Sequence, residues 1–237
     1  MSDFLLIHGS CHGAWCWRDL IPALQALGHS ARAIDLPGNG DDTTPLDQVT
    51  LDSTRDAILD ALTPGTLLLG HSWAGHPISA AAETDPKAMR ALIYLCTYVP
   101  LNGLSMVDMR KRGPRQTLGG AALRDPAGIA YTIAPDRVED LFYHDCPPGT
   151  AAYAQQHLCP QAIAPQDTPI ILGDNFASVP KAYIRCADDR TIPPEYQESM
   201  TADWPPEDVH VMQTGHSPFF ADPSGLAALL NTIALRF

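Results

Sequence analysis

Long hydrophobic runs are missing from this chain of 237 residues. No run approaches the roughly 20 apolar residues that a membrane-spanning helix needs, so we expect no transmembrane segment. The N-terminus, Met1-Ser2-Asp3, lacks a basic stretch, and the apolar run at residues 4–7 is too short for the core of a signal peptide. The sequence therefore predicts a cytoplasmic protein.

Basic residues are scarce. The chain has 15 lysines and arginines against 27 aspartates and glutamates, which gives a formal net charge of −12. Such a charge repels the phosphates of nucleic acids and the headgroups of anionic membranes. We therefore expect a small-molecule partner and neither nucleic acid nor a membrane, while a homodimer stays open.

Cysteine pairs with the spacing C-x-x-C are also absent. A zinc site would need ligands two to four residues apart with a matching second pair, and only Cys11-His12 and His157-x-Cys159 approach that pattern. In a cytosolic protein cysteines are mostly reduced and packed as small apolar side chains. We expect no metal, no other cofactor, and free thiols at all six positions: Cys11, Cys16, Cys96, Cys146, Cys159 and Cys186.

What the sequence does contain is a regular alternation of strand and helix. Apolar runs predict strands at residues 4–8, 31–36, 66–69, 91–95, 182–186 and 209–212. Helical spacing predicts helices at residues 15–27, 51–62, 194–200 and 224–234, and another directly after Ser72. Apolar strands that alternate with helices indicate an α/β fold, with a mostly parallel sheet of about six strands and helices on both faces.

This rhythm breaks between about residues 100 and 178, where glycine, proline and short irregular helical stretches replace clear strands. A structureless loop of that length is uncommon in a compact domain. We therefore expect a helical lid at residues 100–178, inserted after the fifth strand of a core formed by residues 1–99 and 179–237.

The pattern G-x-S-x-G occurs at residues 70–75, between the apolar run 66–69 and a stretch of good helix formers. Strand, tight turn and helix are the context of a nucleophile elbow, in which a strained turn exposes the serine hydroxyl at a helix N-terminus. Glycines on both sides avoid the clashes that Cβ atoms would make there. Ser72 is therefore the candidate nucleophile.

A nucleophilic serine needs a histidine as general base and an acid that orients the histidine. His216 follows the predicted strand 209–212 and stands after Gly215, which gives the turn freedom. Asp188 and Asp189 both follow the predicted strand 182–186, and spacing alone does not choose between them. The chain order of serine, acid and histidine is the order found on α/β sheets.

Two backbone N–H groups must also face the substrate carbonyl oxygen. Trp73, the residue after the nucleophile, is expected to supply one of them. We expect the other from Ser10, in the glycine-containing loop after the first strand.

Together these motifs resemble the α/β-hydrolase superfamily. The resemblance rests on HGxCHGAWxW at 8–17, LGH at 27–29, AxDL at 33–36, GHS at 70–72 and YIxCxxDxxIP at 183–193. It is strongest to the branch that contains plant methylesterases, the salicylate-binding esterase, hydroxynitrile lyases and bacterial carboxylesterases. The resemblance implies that Asp189 is the triad acid, and it supports Ser10 and Trp73 as oxyanion donors.

Two positions separate the branches of that family. Hydroxynitrile lyases of this type carry threonine where Gly9 stands and lysine where Ser217 stands. Because the lysine stabilises the departing cyanide, its absence favours an esterase over a lyase.

The sequence thus predicts a cofactor-free serine carboxylesterase for small to medium, largely apolar esters. The alternatives are a hydroxynitrile lyase, a hydrolase-like binding protein with slow turnover, and hydrolysis of lactones or thioesters. A substrate pocket is expected between the elbow and the lid. The candidate substrate-binding residues are Gly9, Tyr98, Met106, Met109, Phe142, Tyr143, Ser217 and Phe219.

Overall fold

The computed structural model describes residues 1–237 and contains nine strands. They are β1 (Asp3–Ile7), β2 (Ser30–Ile34), β3 (Thr66–His71), β4 (Met89–Leu95), β5 (Ala122–Arg124), β6 (Ala130–Ile133), β7 (Gln161–Ala162), β8 (Lys181–Cys186) and β9 (Val209–Met212).

The α-helices are α1 (Leu20–Ala26), α2 (Leu51–Ala61), α3 (Gly75–Thr84), α4 (Met106–Arg112), α5 (Pro135–Val138), α6 (Thr150–Gln155), α7 (Ala164–Asp167), α8 (Asp174–Ser178), α9 (Pro194–Met200), α10 (Pro218–Ala221) and α11 (Pro223–Ala234). Short 3₁₀ helices cover Ala14–Trp17, Leu46–Gln48, Ser72–Ala74 and Pro206–Asp208, and one π-helical turn covers Glu139–Tyr143.

Six strands form the central sheet in the order β2-β1-β3-β4-β8-β9, and every neighbouring pair is parallel. This confirms the predicted α/β fold and the predicted sheet. Successive side chains of a strand point to opposite faces, so Phe4 and Leu6 join one apolar cluster while Leu5 and Ile7 join the other. Helices cover both clusters, with α1 and α11 packed together on one face and α2 and α3 on the other. The carboxyl ends of β1, β3, β8 and β9 consequently meet at one edge of the sheet.

The predicted helix at residues 15–27 is wrong as a single element. The chain forms a 3₁₀ turn at Ala14–Trp17 and then the separate helix α1. Pro22 explains the break, because a proline ring within a continuous helix would clash with the carbonyl of residue 18. In α1, Pro22 lies in the first turn and is tolerated there.

The segment between β4 and β8 contains five short α-helices and a π-helical turn joined by loops, but the expectation that it holds no strand is wrong. Strands β5, β6 and β7 form a small antiparallel sheet within it. These strands have two to four residues, too few to show a period of two in the sequence. The insertion also follows the fourth strand of the chain rather than the fifth. None of the helices has the length and apolar character needed to cross a membrane.

Candidate active site

Ser72 lies in a strained turn between β3 and α3, with φ of 58°. Gly70 and Gly75, on either side of this turn, leave no room for a side chain because neighbouring atoms approach their backbone closely. A Cβ at Gly75 would lie 2.2 Å from the carbonyl oxygen of Tyr98, and a Cβ at Gly70 would lie 2.8 Å from Cδ1 of Ile78. The G-x-S-x-G spacing thus lets the chain turn sharply against its neighbours and leaves the hydroxyl of Ser72 facing a cavity.

Hydrogen bonds join Ser72, His216 and Asp189 in a row. The Nε2 atom of His216 is 3.0 Å from Oγ of Ser72, and its Nδ1 atom is 2.8 Å from Oδ2 of Asp189. All three side chains are buried, with 8%, 1% and 3% of Ser72, His216 and Asp189 exposed. Because Asp189 only accepts, the Nδ1 atom of His216 carries the proton and Nε2 is free to accept one from Ser72.

Asp189 is held from both sides of its carboxylate. Its Oδ1 atom accepts from the backbone N–H groups of Thr191 and Ile192 at 2.7 and 2.9 Å. Its Oδ2 atom accepts from Nε2 of Gln197 at 2.8 Å as well as from His216. The neighbouring Asp188 is exposed and its side chain makes no hydrogen bond. The geometry therefore puts Asp189, and not Asp188, against the histidine.

His71, next to the serine, supports the backbone of His216. Its Nε2–H group donates to the carbonyl oxygen of His216 at 2.8 Å. Burial, together with the nearby His216 and His12, holds the pKa of His71 well below its ordinary value, so this ring stays neutral. A neutral ring suits the site, because a second cation would oppose protonation of His216.

The loop after β1 is fixed by His12. Its Nδ1–H group donates to the carbonyl oxygen of Ser10 at 2.7 Å, so Nε2 must accept the hydroxyl proton of Tyr143 at 2.5 Å. Burial lowers the pKa of His12 to about 3, which keeps the ring neutral, and its two partners fix the tautomer. The N–H group of Ser10 has no acceptor within the protein. The N–H group of Trp73 lies at the start of a helix, where intrahelical acceptors are missing.

The hydrogen bond between Tyr143 and His12 gives the insertion a testable role at the site. We expect Tyr143→Phe to lower kcat by roughly 3- to 10-fold with little change in KM, because the loop that carries Ser10 loses a buried hydrogen bond. Initial rates on an ester substrate measure this effect. Tyr94→Phe is the matched control, since it removes a buried hydroxyl bonded to Ser79 at 2.7 Å, away from that loop. Equal kcat values in the two variants would contradict the role.

The cavity above Ser72 has about 470 Å³ of empty space, counted out to its open mouth. Of the residues that the sequence predicts at the site, it is lined by Gly9, Ser10, Ser72, Trp73, Tyr98, Met106, Phe142 and His216. The ring of Phe142 lies 5.8 Å from that of His216, centre to centre.

Four predicted pocket residues do not line this cavity. Tyr143 is buried behind His12, and Phe219 packs on Trp17 and His71 with ring centres 4.7 and 5.0 Å apart. Met109 is buried and its carbonyl oxygen accepts the hydroxyl of Tyr196. Ser217 is buried, and its hydroxyl finds no hydrogen-bond partner.

Sequence reasoning missed several residues of the cavity wall. Two of them, His12 and His71, stand beside predicted site residues, and the others come from the insertion or from the loop after β8: Arg110, Leu118, Tyr131, Ile133, Thr191 and Ile192. One signal was available, because Arg110 stands four residues after Met106 and therefore lies on the same face of a helix. The contributions of Tyr131 and Ile133 depend on the short strand β6, which the sequence does not reveal.

A cluster of possible metal ligands coincides with this site. One atom each of His71, Cys96 and His216 lie within 4.8 Å of one another. Their chemistry does not fit a metal ion. The ring nitrogens of His216 face Ser72 and Asp189, His71 donates to a carbonyl, and burial raises the pKa of the Cys96 thiol well above its ordinary value. Only Nδ1 of His71 is without a partner, and one free nitrogen does not make a metal site, so we assign no metal to this cluster.

Comparison with known proteins agrees with the fold. A model described as alpha/beta hydrolase family matches residues 4–229. The chain belongs to this family, in its methylesterase branch. Methylesterase 7 of Arabidopsis thaliana is 30% identical over 258 residues, which covers 100% of this chain and 97% of that protein.

Solved structures of similar proteins superpose on this chain over nearly its whole length. A pyrethroid hydrolase from Sphingobium faniae JZ-2 superposes with a TM-score of 0.84 at 25% identity, over 98% of this chain and 97% of the other. Polyneuridine aldehyde esterase superposes with a TM-score of 0.87 at 23% identity, over 99% of both chains. At this identity the similarity supports the fold alone. The esterase relatives support a hydrolytic enzyme with esterase function that acts on small-molecule esters.

Proposed function

We propose that this protein is a serine carboxylesterase that hydrolyses small to medium, largely apolar esters through an acyl-enzyme. The observation that carries the proposal is the buried row of hydrogen bonds from Ser72 through His216 to Asp189. It stands at the floor of a cavity, on a strained elbow, where a substrate carbonyl can reach the serine.

In the first half of the reaction the Oγ atom of Ser72 attacks the ester carbonyl carbon while Nε2 of His216 takes its proton. Asp189 stabilises the imidazolium that forms and holds the ring in place. The N–H groups of Ser10 and Trp73 donate to the oxygen of the tetrahedral intermediate. His216 then passes the proton to the leaving alcohol, and the acyl group stays on Ser72.

In the second half a water molecule replaces the alcohol. His216 removes a proton from the water, which attacks the acyl carbon, and the second tetrahedral intermediate collapses to release the acid and restore Ser72. Apart from the ester and this water, only residues of the chain act in the two halves. Half of the residues that line the cavity are apolar, and a few polar groups converge on Ser72, as in sites that take small molecules.

Hydrolysis of p-nitrophenyl esters from acetate to decanoate tests this proposal. We expect turnover on this series, an optimum at short to middle chain lengths, and an acyl adduct on the peptide that carries Ser72 in mass spectra of quenched enzyme. Turnover without any adduct on Ser72 would contradict the mechanism. Absence of turnover with tight binding of carboxylic acids would favour a binding protein.

Gly9 offers a test against the lyase alternative. A Cβ at this position would lie 2.7 Å from Nδ1 of His71 and 3.0 Å from Cβ of Ser72. The threonine found in the related lyases would therefore displace residues of the site. The residue after the histidine is Ser217, which supplies no cation for a departing cyanide. We accordingly expect ester hydrolysis and no cleavage of mandelonitrile.

We expect Gly9→Ala to lower kcat/KM for esters by roughly 10- to 100-fold, because His71 or Ser72 must shift to admit the methyl group. Gly173→Ala is the control, since its Cβ would meet only the half-buried side chain of Glu83, at 3.3 Å from Oε1, away from the cavity. Steady-state kinetics and a melting curve of both variants separate a local effect from unfolding. Unchanged kinetics in Gly9→Ala would show that the site tolerates a side chain here.

A further inference from the structure

The wall of the cavity contains one permanently charged side chain, that of Arg110. No acidic residue lines the cavity, and burial keeps His12 and His71 neutral by lowering their pKa values. Arg110 is half-buried, and its guanidinium takes part in no hydrogen bond or ion pair within the protein. A cation that has lost part of its water without gaining a partner is favourably placed to bind an anion.

Of the three basic residues in the last turn of helix α4, only Arg110 lines the cavity. Met106 and Arg110 are four residues apart, so they share a helix face, and both line the cavity. Lys111 and Arg112 follow on other faces and do not line it. The charge of Arg110 also acts on Tyr98 and Tyr131, since burial raises the pKa of each hydroxyl and the nearby Arg110 opposes the rise.

The surroundings of Arg110 are basic in an acidic protein. Arg110, Lys111, Arg112 and Arg115 stand within six positions, with Asp108 as the nearest acid in the sequence. Arg115 is paired with Glu195 at 2.7 Å, and Lys111 lies 3.9 Å from Asp108. In a chain with a net charge of −12, this basic segment provides a local positive charge that attracts anions to the cavity.

We propose that Arg110 selects esters that carry a second, ionised carboxyl group, namely half-esters of dicarboxylic acids. This inference rests on the proposed esterase function and names its substrate class. The free carboxylate pairs with the guanidinium, the ester carbonyl lies at Ser72, and the methylene spacer contacts apolar side chains of the same cavity, such as Met106. Water cleaves the ester bond, so the products are the dicarboxylate and the alcohol.

Monomethyl and dimethyl esters of the same dicarboxylic acids, with four to eight carbons, provide matched charged and neutral substrates. We expect the wild-type protein to have a KM at least about 10-fold lower for the half-ester at the best chain length. Arg110→Gln raises that KM by roughly 10- to 100-fold and removes the preference for the half-ester over the diester. Added salt lowers kcat/KM for the half-ester only.

Arg112→Gln is the control for this substitution. Arg112 lies two residues further along the chain, is exposed, and forms no ion pair, so we expect both substrates to be unaffected. Arg110→Lys keeps the charge without the planar fork and retains part of the preference. Melting curves of the variants show whether a loss reflects unfolding instead.

Preference of the wild-type protein for the diester, or an equal loss on both substrates in Arg110→Gln, would overturn the inference. If the wild-type protein hydrolyses neither the half-esters and diesters nor the p-nitrophenyl esters, the proposed esterase function fails instead. Arg110 is then tested by calorimetric binding of adipate to Ser72→Ala. Binding to Ser72→Ala that is lost in the double variant Ser72→Ala/Arg110→Gln supports an anion site at Arg110. Absence of binding to Ser72→Ala overturns it.

Discussion

Ser72→Ala is expected to lower kcat by at least about 10³-fold on p-nitrophenyl esters. The variant keeps the cavity, the N–H groups of Ser10 and Trp73, and the base His216, but no covalent acyl-enzyme can form. The remaining rate comes from water attack on a bound and polarised ester, which these groups still assist. The measurement is kcat of the purified variant beside wild-type protein, with active-site labelling by an organophosphate.

The control for this prediction removes a buried serine hydroxyl elsewhere. Ser79 in α3 is fully buried and its Oγ donates to the carbonyl oxygen of Gly75 at 2.6 Å, so Ser79→Ala tests the general cost of losing such a group. We expect its kcat to stay within about threefold of wild type while its melting temperature falls. A loss below tenfold in Ser72→Ala would disprove the role of Ser72 as nucleophile.

The elbow and the core could be predicted from the sequence because their signals are local. Leu67, Leu68 and Leu69 form an apolar run that ends directly at the G-x-S-x-G turn, and helix formers follow it. Each step needs only neighbouring residues and the period of a strand or helix. The contact between Ser72 and His216 is distant in sequence, but parallel strands bring their carboxyl ends together, so the topology of the sheet also implies it.

The wall of the cavity could not be predicted in the same way. Tyr131 reaches it because β6 pairs with β5 and β7, and β7 lies about thirty residues further along the chain. Arg110 reaches it because the insertion folds back over Ser72, which depends on packing between elements and not on any periodic pattern. Residues of the cavity wall are thus less predictable than those proposed to carry the chemistry.

The choice between Asp188 and Asp189 shows the same limit on a small scale. The residues are adjacent, and both follow the end of a strand, so spacing left both open and the family resemblance pointed to Asp189. In the structure Asp189 faces inward to His216, and Asp188 lies exposed on the surface. This pair provides a matched test of the proposed acid.

We expect Asp189→Asn to lower kcat by about 10³- to 10⁴-fold, while Asp188→Asn stays within about twofold of wild type. The reason lies in the four donors around the carboxylate. The backbone N–H groups of Thr191 and Ile192 require an oxygen at the position of Oδ1. The amide oxygen of asparagine must therefore take that position, and its NH₂ group is left at the position of Oδ2.

That NH₂ group would face two further donors, Nδ1–H of His216 and Nε2 of Gln197. Gln197 cannot relieve the conflict by turning its amide, because its Oε1 atom accepts from the N–H group of Cys186 at 3.0 Å. His216 must then move its proton to Nε2, the atom that faces Ser72 at 3.0 Å. In this tautomer the histidine cannot accept the proton of the serine, so the nucleophile is not activated.

Steady-state kinetics of the two aspartate variants decide the assignment, with kcat as the quantity that should separate them. KM should change little, because neither carboxylate lines the cavity. Added alkali should restore part of the activity of Asp189→Asn, since hydroxide can remove the proton that the misoriented histidine cannot accept. Similar kcat values in Asp189→Asn and Asp188→Asn would contradict the role of Asp189, whereas a selective loss without unfolding would support an acid that fixes the tautomer of His216.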